Sequence, residues 1–346
     1  MALRSPGRLA GLAALAPIAW GTYSAFSAEH DAPLPEALPG RRRVFDAPTA
    51  GRLAYYEDPE PGPGTSAAPL VLLHSVNAAA SSYEMRPLFE RYRGRRPVYA
   101  LDLPGFGFSE RSRRRYTPDL YVAAIVAFLE GVVNPAQGAD LVALSLSAEF
   151  AALVALRRPE LVRRLVLISP TGFEASARGI RRARELGRSG RIRRALTLPG
   201  LAQPLFDLVV SRPSIRYFLA QQFERGSPDP DLLRYAWATA HQPGARHAPL
   251  AFLSGELFTP EIRWLAYERL RLPVLVLYAR SANTSYEMLP GLLRASDNWQ
   301  AARIGPAKDL LHWERPAETV AEMDEFFREE MLPAEVGAEG EPAPAW

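Results

Sequence analysis

Asp140-Leu141-Val142-Ala143-Leu144-Ser145-Leu146-Ser147-Ala148-Glu149-Phe150 is the stretch on which the fold turns. An apolar run of strand character ends at a serine flanked two residues either side by small residues, Ala143 and Ser147, and a helix-forming stretch follows at once. Small neighbours allow the backbone to pinch from strand to helix and push the serine oxygen into a cleft. Such a turn usually carries glycine at both flanks, and here alanine and serine stand in.

Outward from this turn, short apolar runs alternate with helical patterns. Val44–Phe45 and Arg52–Glu57 read as an opening hairpin, and Leu70–His74 and Pro97–Asp102 as strands. Leu120–Val133 shows apolar residues at helical spacing. The strand ending at Leu144 is followed by a helix over about 146–157, then a strand at Arg164–Ser169. Pro273–Tyr278 and Trp299–Ile304 close the set of strands, before a helix over 316–330. Short, nearly all-apolar strands separated by helices predict a parallel sheet covered on both faces. The stretch between Ser169 and Pro273 has helix-like segments around 181–196, 203–210, 215–223, 231–241 and 260–270, and predicts a helical lid inserted between two strands.

Four features in order resemble the α/β-hydrolase family, over about residues 42–330. His74-Ser75-Val76-Asn77 sits where that family places its oxyanion loop, and Asp102-Leu-Pro-Gly105-Phe-Gly107-Phe-Ser109 resembles a conserved turn of it. Ser145 occupies the elbow. Leu311-His312-Trp313-Glu314-Arg315-Pro316 looks like the loop that bears the catalytic histidine.

The resemblance implies an α/β fold with Ser145 as nucleophile, His312 as its base, and the Val76 and Leu146 amides as oxyanion donors. A serine hydroxyl is inert near neutral pH until a base takes its proton, and imidazole titrates in the range that lets it accept and return one. Each oxyanion donor is worth about 3–4 kcal/mol to the transition state. The third member of such a triad should follow the strand at 274–278, but Ala279-Arg280-Ser281-Ala282-Asn283-Thr284 holds no carboxylate. Glu174, just beyond the strand at 164–169, is the first candidate for the acid, with Asn283, Asp309, Glu287 and Glu149 as alternatives. Asn77, Trp237 and Phe218 are expected to touch substrate. His74 is expected to order the oxyanion loop.

Serine at the elbow points to acyl chemistry: ester, thioester, amide or C–C hydrolysis, or cofactor-free perhydrolysis. An aromatic-rich lid (Phe206, Tyr217, Phe218, Phe223, Tyr235, Trp237, Phe252, Phe258) favours a small hydrophobic substrate. The expected enzyme is a carboxylic ester hydrolase. The alternative is a catalytically weak relative that binds an apolar ligand or a membrane partner.

The 346 residues suffice for one large domain with an insertion, and 48% of them are hydrophobic. The net charge of +3 comes from arginine, Lys308 being the single lysine, and no nucleic-acid module accompanies it. The chain has no cysteine, which excludes disulfides and thiolate chemistry. No cofactor and no metal is expected. The domain organisation expected is a signal or anchor with its linker over 1–40, a core over 41–172 and 271–332, a lid over 173–270 and a disordered tail over 333–346. Arg4 and Arg8 before the apolar run Leu9–Trp20 describe a secretory signal or anchor, so the chain is expected to be exported or membrane-tethered. The arginine-dense stretch 178–194 could lie on anionic lipid.

Overall fold

The computed structural model describes residues 30–31, 33–60, 68–134, 138–174, 198, 200, 202–281 and 284–328. The N-terminal apolar segment, the arginine-dense stretch, Asn283 and the C-terminal tail lie outside the described residues.

The sheet has eight strands: β1 (Arg41–Ala47), β2 (Gly51–Asp58), β3 (Leu70–Leu73), β4 (Val98–Leu101), β5 (Ala139–Leu144), β6 (Val162–Ile168), β7 (Val274–Tyr278) and β8 (Trp299–Arg303). Their spatial order is β1-β2-β4-β3-β5-β6-β7-β8. β2 runs antiparallel to both its neighbours, and every pairing from β4 to β8 is parallel. This is the mostly parallel sheet that the sequence predicts. β3, β4 and β5 are buried along their whole length, because helices cover both faces and leave no wet side to select polar residues.

The helices are α1 (Arg86–Tyr92), α2 (Pro118–Phe128), α3 (Ser147–Arg157), α4 (Ala202–Val209), α5 (Arg212–Gln221), α6 (Pro230–Ala240), α7 (His247–Leu253), α8 (Ile262–Leu265), α9 (Leu289–Ala295), α10 (Leu311–Glu314) and α11 (Pro316–Arg328). Thr117 caps α2 by accepting from the Leu120 amide, and Asp229 caps α6 by accepting from Asp231 and Leu232. Two apolar clusters sandwich the sheet. One joins α2 and α3 to alternate strand residues such as Leu141 and Leu167; the other joins α1 and α11 to residues such as Val142 and Val166.

Helices α4 to α8 are inserted between β6 and β7. Several side chains tie this insert to the core. Glu149 is fully buried in α3, where it accepts from Thr171 Oγ1 at 2.6 Å and from the Thr259 amide at 2.6 Å. Arg111 donates to the Thr239 carbonyl at 2.6 Å and to the Gly107 carbonyl. Ala37 and Leu38, in the stretch read as linker, are buried, and the Ala37 amide donates to Tyr56 Oη. No described helix is long and apolar enough to cross a membrane.

Candidate active site

Ser145 lies between β5 and α3 with φ of 55°, in the left-handed region that costs a residue bearing a Cβ about 1–2 kcal/mol. Its amide donates to the Ile168 carbonyl at 2.8 Å and its own carbonyl accepts from the Ala148 amide, so the elbow is pinned to β6 and to the first turn of α3. Small flanks serve this closeness directly. Ala143 pairs with strands on both sides, and Ser147 Oγ donates to the His74 carbonyl at 2.5 Å, which locks the elbow to the oxyanion loop.

Above the elbow is a cavity of about 440 Å³. Its floor carries Ser145 with Val76 and Leu146, the two residues expected to supply oxyanion amides. Its roof comes from the insert: Ile215, Phe218 and Leu219 of α5, Leu232 and Tyr235 of α6, Leu253 of α7. Asn77 lines the cavity, but its amide is committed to the loop. Asn77 Nδ2 donates to Ser75 Oγ (2.8 Å) and Glu84 Oε1 (2.9 Å), and Oδ1 accepts from the Ala79 amide. Trp237 is not among the lining residues. It stacks on His241 at 4.3 Å, with the Arg212 guanidinium over its ring at 4.2 Å, because its position on α6 turns it off the cavity face.

Glu84 organises the oxyanion loop. Its carboxylate accepts from the Ser75 amide at 2.8 Å, from Ser75 Oγ at 3.0 Å and from Asn77 Nδ2. His74 bridges the loop to the strand beside it, Nδ1 donating to the Ser75 carbonyl (2.6 Å) and Nε2 accepting from the Leu103 amide (3.0 Å). Burial holds its imidazole below the usual range, in keeping with an ordering role for a neutral ring. The expected turn below it is built on Asp102, whose carboxylate accepts from the Ser82 and Phe108 amides. A Cβ on Gly107 would fall inside that carboxylate.

The expected triad is not brought together. His312 is fully buried and is not among the residues lining the cavity. Its Nε2 donates to the Glu84 carbonyl at 2.8 Å, Trp313 Nε1 donates to the same oxygen at 2.7 Å, and Nδ1 has no partner. Burial pushes the imidazole down to about 4. The cause is local: Leu310 (φ −93°, ψ 51°) lies outside helical space, so α10 starts beyond it and turns His312 into the core under Glu84. His312 therefore fixes the peptide whose side chain orders the oxyanion loop. Asp309 and Leu310, just before His312 in this loop, line the cavity with Ser145.

Glu174 also lines the cavity, but it does not meet His312. Its Oε1 accepts from Thr284 Oγ1 at 2.5 Å and Oε2 from the Gly172 amide at 3.2 Å, which ties the loop after β6 to the loop after β7. Among the described lining residues there is no histidine, lysine or arginine. Among the described residues no cluster of three His, Asp or Glu side chains could hold a metal.

With this geometry in place, known proteins provide a comparison. The model of the alpha/beta hydrolase family matches residues 70–323, most of the chain and every strand from β3 to β8. The chain belongs to this family. Within it, 106 residues are 34% identical to 2-hydroxymuconate semialdehyde hydrolase of Pseudomonas sp. (strain CF600), over 30% of this chain and 37% of that protein. Another 32% identity over 136 residues links it to the uncharacterized hydrolase YugF of Bacillus subtilis (strain 168), over 39% of this chain and 46% of that one. The matched segments thus span less than half of these relatives. A solved alpha/beta hydrolase, a serine hydrolase involved in carbazole degradation, superposes with a TM-score of 0.65 at 19% identity, over 83% of this chain and 98% of its own.

Proposed function

We propose that the protein is a hydrolase that attacks an acyl carbonyl of a small hydrophobic substrate with Ser145. The observation that carries this is the conformation of Ser145 at the cavity floor, with φ of 55°. Glycine adopts positive φ without strain, so a turn that needed only smallness would be more stable with glycine there. A serine kept against that cost, facing a largely apolar cavity, is explained by a need for its hydroxyl. The Val76 and Leu146 amides, on either side of the floor, would hold the oxyanion.

The names of the relatives agree with a hydrolase and leave two acyl reactions open: ester cleavage, and cleavage of a C–C bond beside a carbonyl. We favour the ester, since the roof of the cavity is mainly apolar and no basic side chain among the described lining residues would hold a substrate carboxylate. The insert serves as a lid in this scheme. Hydrolysis of p-nitrophenyl esters of acetate, butyrate, octanoate and benzoate, by the parent and by Ser145→Ala, tests it. Turnover by the parent that is lost in the variant supports the proposal; equal slow release by both contradicts it.

A second reading, an apolar-ligand-binding protein with little catalysis, is favoured by the placement of His312 away from the cavity. Tight binding of an apolar probe without turnover would single it out.

We further propose that substrate arrives from a lipid surface. Leu205 and Leu208 of α4 and Tyr217 and Phe218 of α5 are exposed, and Phe218 is also part of the cavity wall. Arg212 and Arg216 are exposed on α5 beside them, where they would meet anionic headgroups.

A further inference from the structure

We infer that His30 and Asp207 latch the end of the N-terminal apolar run to the insert. The run and the exposed face of α4 and α5 then enter one bilayer, and the cavity opens onto the membrane that holds the chain. This orientation rests on the lipid-surface reading above and gives that surface a tether.

The described residues from His30 to Gly40 are held at both ends. At one end the Ala37 amide donates to Tyr56 Oη at 2.8 Å, and Tyr56 Oη donates to Glu36 Oε2 at 2.9 Å. Ala37 and Leu38 are buried in the same apolar cluster as Tyr56 of β2. At the other end His30 Nε2 donates to Asp207 of α4, 3.1 and 3.2 Å from its two carboxylate oxygens. Asp207 is 4% exposed, and a carboxylate so buried needs donors. Gln203 Nε2 is another of them, at 2.6 Å, and Gln203 Oε1 in turn accepts from Arg246 at the start of α7 at 2.5 Å. Pro33, Pro35 and Pro39 restrict the backbone between the two ends.

This latch sets where the apolar run joins the fold. The run extends from Leu9 through Trp20 and more weakly to Ala28, two residues before His30, and two residues reach at most about 7 Å. Its end is therefore beside α4. Along α4, Phe206 and Asp207 are buried while Leu205 and Leu208 are exposed. The next helix, α5, packs on α4 and exposes Tyr217 and Phe218. Single apolar side chains in water are ordinary, but several large ones on neighbouring helices mark a surface that meets a partner.

Charge indicates which partner. Asp207 is the single acidic residue between 202 and 222, and its carboxylate is turned inward to His30. Arg212 and Arg216 are exposed on the same stretch, with Arg212 lying over the Trp237 ring. Leucines and rings flanked by arginine, with no outward carboxylate, suit an anionic bilayer: the apolar groups enter the acyl boundary and the guanidinium groups meet phosphates. Phe218 is both exposed and part of the cavity wall that includes Ser145, so the way in lies on this face. An acyl ester dissolved in the tethering leaflet would enter there without crossing water.

The chain has no cysteine, so one introduced cysteine carries one label. The 346-residue chain as Leu208→Cys, Tyr217→Cys or Glu160→Cys, each bearing bimane, is reconstituted in phosphatidylcholine and phosphatidylglycerol vesicles with brominated acyl chains. Glu160, exposed just before β6 at the opposite strand ends from Ser145, is the control. Bromine should quench the labels at 208 and 217 and leave the label at 160 bright. His30→Ala should still float with the vesicles but lose quenching at 208, and His30→Gln, which keeps an N–H for Asp207, should restore it. Ser145→Ala should change none of this, which keeps the orientation apart from the question of catalysis. Equal quenching at 160 and 208, or none at 208 and 217 in a vesicle-bound chain, overturns the orientation and leaves lipid binding standing. Labels shielded from aqueous iodide yet untouched by bromine also overturn it, since the chain's own apolar run or a second copy then covers the face. Unaltered quenching in His30→Ala overturns the latch. A chain that does not float with vesicles overturns the lipid-surface reading and this orientation with it.

Discussion

His312→Gln separates a buried structural histidine from a catalytic one. Glutamine keeps an N–H that can reach the Glu84 carbonyl but has no charge to titrate. In the parent, burial lowers the imidazole from 6.5 to about 4, so the unfolded chain takes up the proton before the folded one does. The stability due to a neutral His312 is therefore complete above about pH 6.5 and is lost as pH falls toward 4. At about 1.4 kcal/mol per pH unit, a window of about 2.5 units is worth roughly 3 kcal/mol. His74, also buried with a lowered imidazole, works in the same direction in both proteins and cancels in the comparison. Urea unfolding of parent and variant at half-unit steps from pH 8 to pH 4 reads the effect. The parent should lose about 3 kcal/mol more than His312→Gln over that range, while the variant keeps its reactivity toward fluorophosphonate within about tenfold. Parallel stability curves, with reactivity abolished in the variant, would refute the placement of His312 outside the cavity.

Ser145→Gly should abolish turnover and raise stability by about 1 kcal/mol, because glycine relieves the left-handed backbone; a fall in melting temperature would contradict the strain. Gly107→Ala should cost about 2 kcal/mol or more, since the new methyl would enter the Asp102 carboxylate at positive φ; urea unfolding checks this, and an unchanged midpoint is the contrary result. Glu84→Gln should lower kcat for an ester with little change in KM, as the oxyanion loop loses a charge-assisted acceptor but the apolar walls stay; a rise in KM alone would place Glu84 in substrate binding. Vesicle flotation should weaken for Leu208→Ser with Tyr217→Ser, and should weaken with added salt for the parent; binding indifferent to both would remove the lipid surface from the account.

The sheet was legible in the sequence because its strands are short, apolar on both faces and bounded by helix-forming runs. β2, β5, β7 and β8 begin or end within two residues of the stretches so read. The elbow was legible for the same kind of reason, since Ala143 and Ser147 answer a purely local steric demand. The facing of side chains in the loop after β8 was not. That His312 turns into the core depends on the non-helical backbone of Leu310 and on the Glu84 carbonyl 228 positions away in sequence, neither of which leaves a local pattern. Glu149 illustrates the same limit: on helical spacing alone it reads as a surface carboxylate, yet two partners from distant segments, Thr171 and the Thr259 amide, hold it in the core. Trp237 was drawn toward substrate by residue type, and its stacking on His241, four residues on, turns it aside.

The most direct test of the central claim is peptide mapping by mass spectrometry after treating the folded protein with a fluorophosphonate. The account predicts one adduct, on Ser145, absent from Ser145→Ala and retained in His312→Gln. An unmodified Ser145 in a protein shown to be folded would contradict it.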